Sequence, residues 1–91
     1  MDRLGRGPVY VTLDIDVLDP AHAPGTGTPE PGGATTADLL DAMSVVGRLN
    51  VAGFDLVEVS PPYDHSDITA IAAAKVVREV ILALSARHAA L

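Results

Sequence analysis

Apolar and β-branched residues run almost unbroken from Val9 to Leu13, and two carboxylates, Asp14 and Asp16, close the run. A run without polar alternation is the pattern of a strand covered on both faces, as in parallel sheets. It predicts a strand over about Val9 to Asp16. Residues 17–35 break every periodicity. They hold four prolines and four glycines, which predicts a loop of defined shape, and loops of this length inside compact units tend to carry function. Thr35-Thr36-Ala37-Asp38 then sets a hydroxyl three residues ahead of an acid, close to a capping box. The helix it opens is expected to reach about Leu49, with Leu39, Leu40, Met43, Val46 and Leu49 forming an apolar stripe. Ala52 to Val59 reads as a second strand, ended by Pro61-Pro62 because proline cannot donate to a ladder. A last helix is expected from near Ser66-Asp67, with Ile68, Ile71, Ala72, Val76, Val80 and Leu84 at helical spacing.

The β-α-β-α order predicts an α/β fold with parallel strands and a right-handed crossover. Two parallel strands make a poor independent sheet, and their apolar character expects neighbours on both sides. Residues 1–91 are therefore expected to be one partial domain, a piece of a larger α/β sheet. A small unit completed by self-association is the alternative.

Composition narrows the chemistry. The chain has 91 residues, 48% of them hydrophobic, a net charge of −6 and no cysteine. The acidic balance and the lack of a basic cluster argue against nucleic acid or an anionic membrane as partner. Without cysteine there is neither a disulfide framework nor a thiolate metal site, as suits a reducing cytoplasm. The N-terminus lacks the apolar stretch of a signal peptide, and no run approaches transmembrane length. A cytoplasmic location is expected.

Side chains two apart on a strand point the same way, so a strand reaching Asp16 would set both carboxylates on one face. Two such carboxylates repel and are costly to desolvate unless a cation joins them. On the pair alone, half of a catalytic metal site, a structural calcium-like site and a surface turn all remain open. Ligands of parallel α/β sheets bind outside the carboxyl ends of the strands. Glu58 is expected at the same edge, inside the second strand, where it would need a metal, a lysine or arginine, or a cationic ligand as partner. A guanidinium would suit it, since carboxylate–guanidinium pairs are charge-assisted and can be bidentate; a structural salt bridge is the plainer reading. Asp19, before Pro20, reads as a turn residue. Tyr63 and Asp64 are expected to order the second loop and cap the last helix, His65 to be solvated, and His88 to favour the helix dipole.

Asp14-x-Asp16-x-x-Asp19-Pro20, followed by Ala23-Pro24-Gly25-Thr26-Gly27-Thr28-Pro29 and Gly32-Gly33, resembles a signature of the ureohydrolase (arginase/agmatinase) family. Glu58-Val59-Ser60-Pro61-Pro62-Tyr63-Asp64 resembles the motif that follows it, in the form typical of agmatinases. The likeness runs from about Val9 to the last helix, with both motifs in order and at the right separation. It implies part of a three-layer, parallel-sheet, arginase-like fold. It also implies release of urea from agmatine or a related guanidino compound, by a hydroxide held between two manganese ions. Asp14 and Asp16 match metal ligands, Glu58 matches the glutamate that receives the substrate guanidinium, and Thr28 matches a loop threonine near that group. Trimers or hexamers of the full-length form are implied as well. The family's other ligands come from an early histidine and an Asp-Ala-His-x-Asp-like segment, and its proton-shuttling histidine lies elsewhere. His22, His65 and His88 sit in no such motif. No residue of this chain is therefore assigned a catalytic role. The chain is expected to correspond to the C-terminal third of such an enzyme and to be inactive alone.

Two other classes compete. Val11-Thr12-Leu13-Asp14-Ile15-Asp16-Val17-Leu18 also resembles the first motif of haloacid-dehalogenase-like phosphatases, with Asp14 as nucleophile, Asp16 as acid/base and magnesium between them. That class expects a downstream lysine and a later acidic pair, yet Lys75 falls mid-helix and no such pair follows. A non-catalytic truncated unit that folds only within an oligomer is the third reading.

Overall fold

A computed structural model describes residues 7–89. Strand β1 spans Val9–Asp14, helix α1 Thr36–Val46, strand β2 Val51–Val57 and helix α2 Ile68–Ala89; short 3-10 turns occupy Ile15–Val17 and Pro61–Tyr63. The strands are parallel, in register from Tyr10 opposite Gly53 to Asp14 opposite Val57. Among the described residues they form a two-stranded sheet. The expected α/β order and parallel pairing are both present.

The core lies on one face of this sheet. Leu13 and its neighbours Phe54 and Leu56 pack with Ile15, Leu18 and Leu39 and with Ala72, Ala73 and Val76 of α2. Strand β1 alternates accordingly: Leu13 is buried, whereas Tyr10, Thr12 and Asp14 are exposed. The described residues thus cover one of the two faces that the apolar run is expected to bury. The described residues supply a sheet and one helical layer, and the opposite face meets solvent.

Element ends differ from the sequence pattern for local reasons. Strand β1 stops at Asp14, two residues early, because the Asp14 carboxylate accepts from the Asp16 backbone N–H and opens a 3-10 turn. Aspartate side chains compete with the ladder in this way. Helix α1 begins as expected, with Thr35 and Asp38 forming a reciprocal capping box, but it ends at Val46. Tight turns from Val45 O to Arg48 N and from Val46 O to Leu49 N carry the chain onward. Strand β2 ends at Val57, since Glu58 adopts a left-handed φ of 76° that breaks the pleat. Helix α2 starts at Ile68, after Ser66 and Asp67, both also at positive φ. Of its expected stripe, Ala72 and Val76 are buried and Val80 packs beside them, but Ile68 and Ile71 face solvent. The His88 side chain lies outside the described residues.

Candidate metal centre

The carboxyl ends of β1 and β2 place the candidate residues. Asp14 is the last residue of β1 and pairs in register with Val57, so Glu58 follows one step beyond the same edge. Asp16 lies in the 3-10 turn, and its N–H donates to Asp14 Oδ1 at 3.0 Å. Asp16 thus lies beyond the end of β1, which corrects the reading that strand alternation aligns the two carboxylates; a backbone-to-side-chain bond within the turn links the two residues. Thr28 returns from the loop to donate its hydroxyl to Asp16 Oδ2 at 3.0 Å. Asp14, Glu58 and Thr28 are exposed and Asp16 is half-buried.

The long loop is held at several points. Asp19 accepts from the Ala21 and Gly32 N–H groups at 2.9 Å each, and these backbone donors hold its carboxyl below the ordinary aspartate value. This is the turn role expected for it. Leu18 bridges to Ala34, so the loop's far end returns to β1's exit. Half-buried His22 accepts the Thr36 N–H at Nδ1, 3.2 Å away, joining the loop to the start of α1.

A second set of contacts joins this loop to the Glu58 arm. Gly25 O accepts from Ser60 N at 2.7 Å, and Gly25 N donates to the buried Thr69 hydroxyl at 2.6 Å. Asp64 accepts from the Thr69 and Ala70 N–H groups at 2.8 and 2.9 Å, capping α2 as expected. Desolvation pushes its carboxyl up, but the N–H donors outweigh that and hold it below the usual range. Tyr63 and His65 are exposed. The structure thus brings Asp14, Asp16 and Thr28 together and ties the Glu58 arm to the same loop. Among the described residues, no group of three or more His, Asp or Glu side chains that could hold a metal ion is assembled.

The donors present suit a hard cation. Asp14 Oδ2 and Asp16 Oδ1 accept no hydrogen bond from the described residues, so each carboxylate keeps one hard oxygen for a divalent ion. Two oxygens are fewer than the full ligand set of any such ion.

The sequence profile of the arginase family matches residues 1–83. The chain belongs to the arginase family. It is 60% identical over 84 residues to an agmatinase of Bacillus cereus, a match covering 90% of this chain and 29% of that protein. It is 48% identical to the proclavaminate amidinohydrolase of Streptomyces clavuligerus, covering 96% of this chain and 28% of the relative. The crystal structure of a hypothetical agmatinase from Burkholderia thailandensis superposes with a TM-score of 0.93 at 48% identity, covering 99% of this chain and 29% of that one. The chain therefore spans a little under a third of the length of these relatives, and its sheet and helices are a segment of the arginase fold.

Sequence pattern gave no role to Thr69, Asp55 or Thr26. Thr69 sits in the first turn of α2 and is not counted in its apolar stripe, although its spacing to Ala72 and Val76 sets it on that face; it is fully buried and holds Gly25. Asp55 binds the Thr12 and Tyr10 hydroxyls on the open sheet face, and these bonds lower its carboxyl. The burial cost that singled out Glu58 points to this mid-strand acid as well. Thr26 is 2% exposed, and its hydroxyl has no partner among the described residues.

Proposed function

We propose that this chain is the metal- and guanidinium-binding segment of an agmatinase-type hydrolase, which releases urea from agmatine or a related guanidino compound. The single observation that carries the reading is the joining of three elements at one sheet edge. The Asp14–Asp16 turn ends β1, Thr28 returns to Asp16, and Gly25 fastens the same loop to Ser60, two residues beyond Glu58. Asp14 and Asp16 hold manganese through their remaining oxygens. Glu58 receives the guanidinium, whose N–H groups match a carboxylate in charge and shape. Its left-handed backbone lifts it out of the β2 pleat at the edge where ligands of parallel sheets bind. Manganese, when bound, supplies Lewis acidity and lowers the pKa of water. Agmatine is favoured over other guanidino compounds by the form of the Glu58 motif and by the agmatinase relatives.

The remaining coordination requires residues beyond these two carboxylates, so the 91 residues act as one segment of a complete ureohydrolase domain and are inactive by themselves. A cytoplasmic enzyme of two manganese ions per site, assembled as a trimer or hexamer, is the complete form proposed. It takes a small guanidino substrate and needs neither nucleic acid nor membrane. Among the described residues no helix is long and apolar enough to cross a membrane.

The test replaces the corresponding segment of the Bacillus cereus agmatinase with this chain. The chimera should release urea from agmatine in a manganese-dependent manner, and Asp16→Asn or Glu58→Gln should each abolish it. A folded, manganese-loaded chimera that releases no urea, or one in which Glu58→Gln retains full activity, overturns the proposal. Phosphate release from a phosphomonoester by the chain itself would favour the phosphatase reading instead.

A further inference from the structure

We propose that Thr69 is a positioning residue for Glu58: its buried hydroxyl fixes the Gly25 backbone, and Gly25 in turn fixes the turn that holds Glu58 in a left-handed conformation. The geometric part rests on the fold alone, and its bearing on substrate rests on the reading above. A non-glycine residue at positive φ is costly and persists only where its surroundings over-determine it. Glu58, at a φ of 76°, has a constraint on either side. Before it, pairing with β1 fixes the chain as far as Val57. After it, the Ser60 N–H donates to Gly25 O at 2.7 Å, so the chain must leave β2 toward the long loop.

The second constraint is only as firm as Gly25 itself. The Gly25 N–H donates to Thr69 Oγ1 at 2.6 Å, across 44 residues of sequence. Thr69 lies in the first turn of α2 and is fully buried. The direction of its bonds is forced, because a backbone N–H can only donate, a carboxylate can only accept, and a hydroxyl does both. Thr69 therefore accepts from Gly25 and turns its own proton to Asp64. Burial raises the Asp64 carboxyl, and the Thr69 and Ala70 N–H groups with the Thr69 hydroxyl outweigh that and lower it. The Asp64 charge polarises the hydroxyl and so strengthens its hold on Gly25. The start of α2 thus sets the backbone of an acid that precedes it by eleven residues, through a glycine of the other loop.

The test follows amide exchange and nuclear Overhauser contacts in the 91-residue chain. Thr69→Val keeps the shape and removes the hydroxyl. In it the Gly25 and Ser60 amides should exchange about tenfold faster relative to the amides of the β1–β2 ladder. The short N–H to Hα contact that a positive φ imposes within Glu58 should weaken. Thr69→Ser restores the hydroxyl and should return both signals. A general loss of stability speeds ladder and loop amides alike, so the ratio isolates positioning from mere support. Where Thr69→Val does not keep its ladder, Asp64→Asn carries the test and should loosen the same two amides. A parental Ser60-to-ladder ratio, or an unchanged Glu58 contact, in a variant that keeps its ladder overturns the inference. In the urea-releasing chimera, Thr69→Val should raise the KM for agmatine by up to about 100-fold, and Thr69→Ser should restore it. A parental KM beside loosened amides overturns the bearing on substrate. An unsubstituted chimera that releases no urea overturns the functional reading, while the amide ratios still decide what holds Glu58.

Discussion

At the scale of single residues, the contact between Gly25 and Asp64 is the most exacting in the site. A Cβ built on Gly25 would lie 2.5 Å from Asp64 Cβ and 2.7 Å from its Cγ. Asp64 cannot swing aside cheaply, because its oxygens hold two N–H groups at the start of α2. Gly25→Ala should therefore displace the loop and destabilise the fold by about 1–3 kcal/mol, the range typical of overpacking. A parental midpoint in urea unfolding would show that the loop yields freely. Thr26 presents the reverse case. Its hydroxyl is buried without a partner among the described residues, and an unsatisfied buried polar group costs about 1–3 kcal/mol. Thr26→Val fills the same space without that group, so it should leave the unfolding midpoint unchanged or raise it. A drop of more than about 1 kcal/mol would reveal a partner such as a trapped water.

At the scale of elements, short-range chemistry was legible and tertiary chemistry was not. The Thr35/Asp38 capping box is written within four consecutive residues, so the sequence alone locates the start of α1. Asp14 and Asp16 were legible as a pair of carboxylates. The turn that brings them together was not, since a pattern of alternation does not register an aspartate capping its own strand end. Glu58 was legible as an acid at the end of β2. Its left-handed φ is invisible in sequence because only the surrounding fold holds a non-glycine residue there. The Gly25–Thr69 and Gly25–Ser60 bonds link residues dozens of positions apart, beyond any local signal. The two loops do share one legible device, an aspartate that gathers backbone N–H groups, and it makes them acid-sensitive. Asp19 and Asp64 are both held below the ordinary value of 3.8 in the fold. Groups with depressed folded pKa values contribute stability that is complete above the unfolded pKa and is lost as pH falls through the folded one. The thermal midpoint should therefore fall as pH drops below about 4. Asp19→Asn should lower the midpoint at neutral pH and flatten its decline in acid. An unchanged acid slope in that variant would show that Asp19 is not a source of the sensitivity.

At the scale of the molecule, the chain encloses only part of what its sequence prepares to bury. One sheet face carries Tyr10, Thr12 and Asp14 into solvent. A cavity of about 510 Å³ opens among Val11, Phe54, Leu40, Met43 and Val80, between the opposite sheet face and the helices. Ile71 and Leu82 are eleven residues apart, close to three full turns, so they share one face of α2; they are 66% and 50% exposed. Parallel strands with unpaired edges add main-chain donors and acceptors to these apolar surfaces. Against association stands a net charge of −6, whose repulsion between copies acts over a screening length of about 30 Å at 0.01 M salt and about 3 Å at 1 M. Apolar attraction is not screened, so the balance is set by ionic strength. Sedimentation of the isolated chain should show mass increasing with concentration at high salt and much less increase at low salt. Replacing Ile71 and Leu82 together by glutamate removes apolar surface and adds two negative charges, and should suppress association at high salt. A chain that stays monomeric at every salt concentration would show that its open sheet and helix faces are self-sufficient in water.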